Sequence, residues 1–97
     1  MEFYLKRGEE LLGVLRATRT DFPWVICEFE RTASYESVQP LFDEELSLLE
    51  ADRMDAWESA YDRINALGLQ LIDAKDEMHI SEFLLHIRGD EAWFRYH

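Results

Sequence analysis

The sequence predicts an α+β fold: an antiparallel sheet of five or six strands in two meanders, ordered β-β-β-α(α)-β-β-β, with the helical segment packed on one face. Three observations carry this. Apolar and polar residues alternate in the first third of the chain. Between residues 35 and 67 the apolar spacing changes to steps of three and four. In the last third it returns to alternating or continuous apolar runs.

Taken in order, Phe3 and Leu5, then Leu12 and Val14, alternate around Gly8-Glu9-Glu10, a plausible hairpin turn. Asp21-Phe22-Pro23 interrupts the pattern, because proline cannot donate to a ladder and extends the residue before it. Trp24-Val25-Ile26-Cys27 is apolar on both faces, as a strand interior to a sheet would be. Tyr35 and Val38 suggest a short helical turn after Thr32 or Ser34. Pro40 suits a first helical position, where its missing N–H costs nothing.

Leu41, Phe42, Leu46 and Leu49 then fall on one helix face, with Asp43, Glu44, Ser47 and Glu50 outside it. Asp43, Glu44 and Glu45 are expected in the first turn, at the positive end of the helix dipole. A second stripe runs Met54, Trp57, Ala60 or Tyr61, Ile64, Leu67, with Asp52 or Asp55 as cap and Gly68 as a left-handed terminus. A break near Asp52 is favoured over one bent helix. Leu69–Ile72 is a short strand, Lys75-Asp76-Glu77 a turn, and Phe83–Ile87 a second run apolar on both faces. Arg88-Gly89-Asp90-Glu91 turns it back onto Ala92–Tyr96. Two strands apolar on both faces need two covers. The helices supply one, and strong curvature or a second protomer must supply the other.

Ninety-seven residues suit a single domain spanning 1–97. Size scaling gives about 6,000 Å² of folded surface from roughly 17,000 Å² unfolded, enough for a core without metal or disulfide staples. Cys27 is the only cysteine, so no intrachain disulfide or cysteine-built zinc site can form. Charges within the first ten residues are unlike a secretory signal, and no apolar run approaches membrane-spanning length. A reducing cytoplasm is expected.

The formal charge is −11, and it is uneven. Residues 28–62 hold eleven acids against only Arg31 and Arg53. Nucleic-acid backbones and anionic membranes both require a basic footprint, so neither is an expected partner. Asp55, Glu58 and Asp62, spaced three and four apart, stack on one outward stripe with few bases to offset them. Such a face either keeps a small protein soluble, the commoner fate, or awaits a basic protein partner. With Glu44 and Glu50, these acids form the candidate partner surface.

Other chemistry is sparse. His79, His86 and His97 show no metal-ligand spacing, and no metal or cofactor is expected. His86 in its apolar strand could act as a general base, but a hydrogen-bonded structural histidine is commoner. On one strand Glu82 stands about 13 Å from it, too far for a shared ligand. Cys27 reads as a small buried hydrophobe. Ser34, Ser37, Ser47, Ser59 and Ser81 lack a nucleophile-elbow context. Arg88-Gly89-Asp90, although an adhesion tripeptide, is explained by turn chemistry. Trp24 and Trp93 are candidates to line an apolar pocket or an interface.

Pro40-Leu41-Phe42-Asp43-Glu44-Glu45-Leu46, Leu48–Asp52, Met54–Glu58, and the tail Glu82–Ile87 with Gly89–Tyr96 together resemble a family of small uncharacterised bacterial cytosolic proteins. That resemblance implies a bacterial source and a free-standing domain, and carries no activity or site residues. The leading functional expectation is an interaction module, of inhibitor or immunity type among its forms, that binds a basic protein through the acidic helices. The alternatives are a small-molecule or enzymatic pocket between sheet and helices, and a structural homodimer.

Overall fold

The computed structural model describes residues 1–80 and 82–96, leaving Ser81 and His97 outside. Strands β1 (Glu2–Arg7), β2 (Glu10–Asp21) and β3 (Trp24–Arg31) are followed by a 3-10 turn (Ala33–Ser37) and helices α1 (Gln39–Glu50) and α2 (Met54–Asn65). Strands β4 (Leu69–Asp73), β5 (His79–Ile80), β6 (Phe83–Arg88) and β7 (Glu91–Tyr96) complete the chain. All seven strands belong to one antiparallel sheet of order β5-β4-β1-β2-β3-β7-β6.

The α+β class and the element order hold, with seven strands in place of five or six. The addition is β5, a two-residue strand paired with β4 through Leu71 and Ile72. The later strands form two hairpins rather than one meander. The β4–β5 hairpin joins the sheet beside β1, and the β6–β7 hairpin joins beside β3. The first and last hairpin turns follow their residues: Gly8 (φ 61°) links Arg7 to Glu10, and Gly89 (φ 58°) links Arg88 to Glu91. Glycine first in a two-residue loop is what a type II′ turn requires.

The sheet curls. β1 and β7 stand three strand spacings apart, about 14 Å on a flat sheet. Yet the Phe3 and Phe94 rings meet edge to face at 5.1 Å between centroids. Ile80 of β5 and Phe83 of β6, at opposite ends of the strand order, are three Cα steps apart along the chain, so at most roughly 11 Å. Two bulges let the long β2 bend. Register slips leave Leu12 unmatched against β1 and Thr18 unmatched against β3. Gly13 is required by the close packing inside this curve. A Cβ there would lie 2.3 Å from the Phe29 ring and 2.9 Å from the Glu30 carbonyl oxygen.

Leu5, Leu15, Phe29, Leu71, Leu85 and Phe94 fill the concave face, with Tyr35, Val38 and Phe42 from the helical segment. The molecule exposes 6032 Å², close to the area that size scaling gives. β3 is interior in the strand order, between β2 and β7, and its Trp24, Val25 and Ile26 stay half-buried. β6 is terminal in the sheet, its Leu85, His86 and Ile87 are buried, and α1 and α2 both reach it, through Glu45 and Tyr61.

The chain breaks into two helices at Asp52, which adopts a left-handed φ of 57° that aspartate tolerates. Three expectations need correction. α1 begins at Gln39, so Asp43, Glu44 and Glu45 lie beyond its first turn. The N-cap of α2 is Arg53, and neither Asp52 nor Asp55 caps it through a side chain. Met54, placed in the apolar stripe, is 44% exposed in the first turn of α2; the buried stripe lies further along the helix, on Ala60, Tyr61 and Ile64.

Candidate functional site: the acidic α2 face and the buried His86–Glu45 pair

The acids of the helical segment separate by environment. Asp55, Glu58 and Asp62 on α2 are all exposed, and none takes part in an ion pair among the described residues. Glu44 is paired with Arg63 and Glu50 with Arg88 at 2.8 Å, so those two candidates already hold intramolecular cations. Arg31, one of two bases in the acidic stretch, is also engaged. Its guanidinium donates to the Gln39 side chain at 2.9 Å and the Gly89 carbonyl at 3.0 Å, and lies over the Tyr35 ring. Of the five acids of the candidate surface, those without an internal cation are therefore the three on α2. Glu28, Glu36, Asp43 and Asp52 in the same acidic stretch also take part in no ion pair among the described residues.

Glu45 behaves differently. It is 0% exposed, one helical step of three beyond Phe42 and one of four before Leu49, so the turn of α1 carries it inward. A buried carboxylate needs partners. The His86 Nδ1 lies 2.8 Å and 3.0 Å from its two oxygens, and the Trp57 indole Nε1–H donates to Oε1 at 2.8 Å. Nδ1 faces the Glu45 carboxyl group, which turns Nε2 away from it. His86 itself is 2% exposed. Its ring packs against both Trp24 and Trp93, each 5.5 Å away by centroid, and the Arg95 guanidinium lies over the Trp24 ring.

His86 and Leu85 are neighbours on β6 and project differently, and each meets a helix. Tyr61 of α2 places its hydroxyl on the open edge of β6, donating to the Leu85 carbonyl at 3.2 Å and accepting from the Leu85 N–H at 2.7 Å. The hydroxyl thus occupies both outward-facing backbone groups of Leu85, in the middle of that edge. Burial pushes the Tyr61 phenol up to about 12, opposed in part by its hydrogen bond to the Leu85 backbone. Burial likewise pushes the Cys27 thiol up to about 11, which leaves almost no thiolate at neutral pH for nucleophilic work.

Trp24 and Trp93 come together as walls around His86; neither lines the concavities beside the helices. One concavity, bordered by Asp52, Arg53, Met54, Asp55 and Ala56, lies at the start of α2, and two others lie between α2 and β6. Of these two, one of about 350 Å³ is bordered by Trp57, Glu58, Tyr61, Asp62, Phe83 and Leu84. A deeper one of about 200 Å³ shares Tyr61, Asn65 and Phe83 with it and reaches Phe42, Ile64 and Leu85. Among the described residues no three of His, Cys, Asp and Glu gather to hold a metal ion, and no helix is long and apolar enough to cross a membrane. His79 is exposed on β5.

Sequence reasoning placed His86 in its strand but not its partner. The signal for Glu45 was present in the helical phase, which puts it on the apolar stripe. The contact itself joins residues 41 positions apart. Compared with family models, curated proteins and solved structures, the chain matches none. The functional reading therefore rests on the site.

Proposed function

We propose that this protein is an acidic interaction module whose α2 face engages a basic protein surface. The supporting observation is that Asp55, Glu58 and Asp62 are exposed and unpaired among the described residues, while Glu44 and Glu50 on α1 already hold arginines. Carboxylates without internal cations attract a basic partner over a Debye length and select against acidic ones. An inhibitor or immunity-type role is one form of this activity.

The test is charge reversal. Asp55→Lys, Glu58→Lys and Asp62→Lys together should leave the circular dichroism spectrum unchanged and remove the salt-sensitive proteins that the immobilised wild type captures from lysate. An unchanged capture profile would reduce the stripe to solvated surface. A second reading, a small-molecule or catalytic site between sheet and helices, is favoured by the His86–Glu45 pair. It ranks lower because neither concavity between α2 and β6 is lined by His86, Trp24 or Trp93. A thermal-shift screen against metabolites addresses it, and sedimentation addresses a homodimer.

A further inference from the structure

The two concavities that border both α2 and β6 share Tyr61, Asn65 and Phe83, and so form one cleft between those elements. Its apolar contact surface is the half-buried Trp57, Phe83 and Leu84 of the wider part; Tyr61, Ile64 and Leu85 beneath them are buried. Its lips are acidic. Glu58 and Asp62 border the wide part and Glu82 the deep part, and no lysine or arginine lines either. We infer that this cleft docks an extended segment of a cationic partner protein, in which apolar side chains alternate with Lys or Arg. The inference rests on the acidic-module reading and names the partner's chemistry.

Three observations select that occupant. First, charge: a segment entering between three carboxylates without a nearby base must carry cations. Second, the floor: the Trp57 N–H is already donated to Glu45, so the indole offers its ring, suited to an aliphatic side chain or a cation stacked on it. Third, length and mode. From Trp57 to Asn65 the α2 wall rises about 12 Å, which about four extended residues would span. The Tyr61 hydroxyl occupies the outward N–H and C=O of Leu85, in the middle of β6, so a segment in the cleft meets side chains there in place of free backbone groups.

The experiment uses the ¹⁵N-labelled full chain and two synthetic peptides of equal charge, acetyl-Lys-Leu-Lys-Leu-Lys-amide and acetyl-Lys-Ser-Lys-Ser-Lys-amide, at low salt. The leucine peptide should bind about tenfold tighter or better. It should shift the amides of residues 57–65 and 83–85, and Leu84→Ser should remove most of its advantage. Equal affinity for both peptides, with shifts spread along Asp55, Glu58 and Asp62, would overturn the cleft and leave the acidic face standing. No perturbation by either peptide would overturn both.

Discussion

At the scale of single residues, the His86–Glu45 pair asks what a buried polar contact contributes. Both groups are almost fully enclosed, and Glu45 accepts from His86 and from Trp57. Removing one partner strands the other, which is more costly than removing both. Glu45→Met leaves two buried donors without their acceptor and should cost about 2–4 kcal/mol. His86→Phe leaves the carboxylate with only the indole and should cost about 3–5 kcal/mol. The double variant should fall short of their sum by about 1–3 kcal/mol, as contacting residues do. Urea unfolding of the four proteins measures this; strictly additive costs would mean that the pair is not coupled. The same residue marks the reach of sequence reading. The 3.6-residue period places Glu45 on the inward face of α1, but no local pattern names an acceptor's partner 41 residues away on another strand.

At the scale of elements, the problem is how β6 ends the sheet without an open edge. Tyr61 solves it locally by satisfying the Leu85 amide and carbonyl with one hydroxyl. Tyr61→Phe should cost about 1–3 kcal/mol at neutral pH, since both backbone groups lose their partner. The pH dependence follows from the raised phenol. A folded-state value of about 12 lies above the ordinary 10, so its contribution is fully present below pH 10 and is lost as pH rises towards 12. The stability gap between wild type and Tyr61→Phe, read by urea unfolding at successive pH values, should therefore shrink across that window. A constant gap would show that burial does not hold the hydroxyl. Much of the element inventory was legible, because turns and helix starts have local chemistry: Gly8, Gly89 and Pro40 each mark one. β5 was not, since two residues carry no period. Nor was the curl, because the bulged residues Leu12 and Thr18 bear no mark of being unmatched.

At the scale of the whole molecule, two electrostatic effects oppose each other. Exposed ion pairs (Arg16 with Glu2 and Glu30, Arg63 with Glu44, Arg88 with Glu50) favour the fold and weaken with salt. Each is worth about 0–1 kcal/mol when solvent-exposed. Against them stands a formal charge of −11, with Asp55, Glu58 and Asp62 stacked at helical spacing, where each like-charge pair costs about 0.2–0.5 kcal/mol. Self-repulsion extends over all 21 acids, whereas the pairs engage only ten bases at most, so repulsion should win. Raising NaCl from about 10 mM to 0.3 M, which shortens the Debye length from about 30 Å to below 8 Å, should therefore increase stability by about 0.5–1 kcal/mol. Asp55→Asn, Glu58→Gln and Asp62→Asn combined should match that gain at low salt and respond less to added salt. If salt destabilises the wild type, the ion pairs dominate, and the α2 stripe is not the strained surface described here. If the gain appears, the stripe is a place where stability is given up for exposed charge. A basic partner bound there would raise the melting temperature at low salt and lose that effect as salt is added.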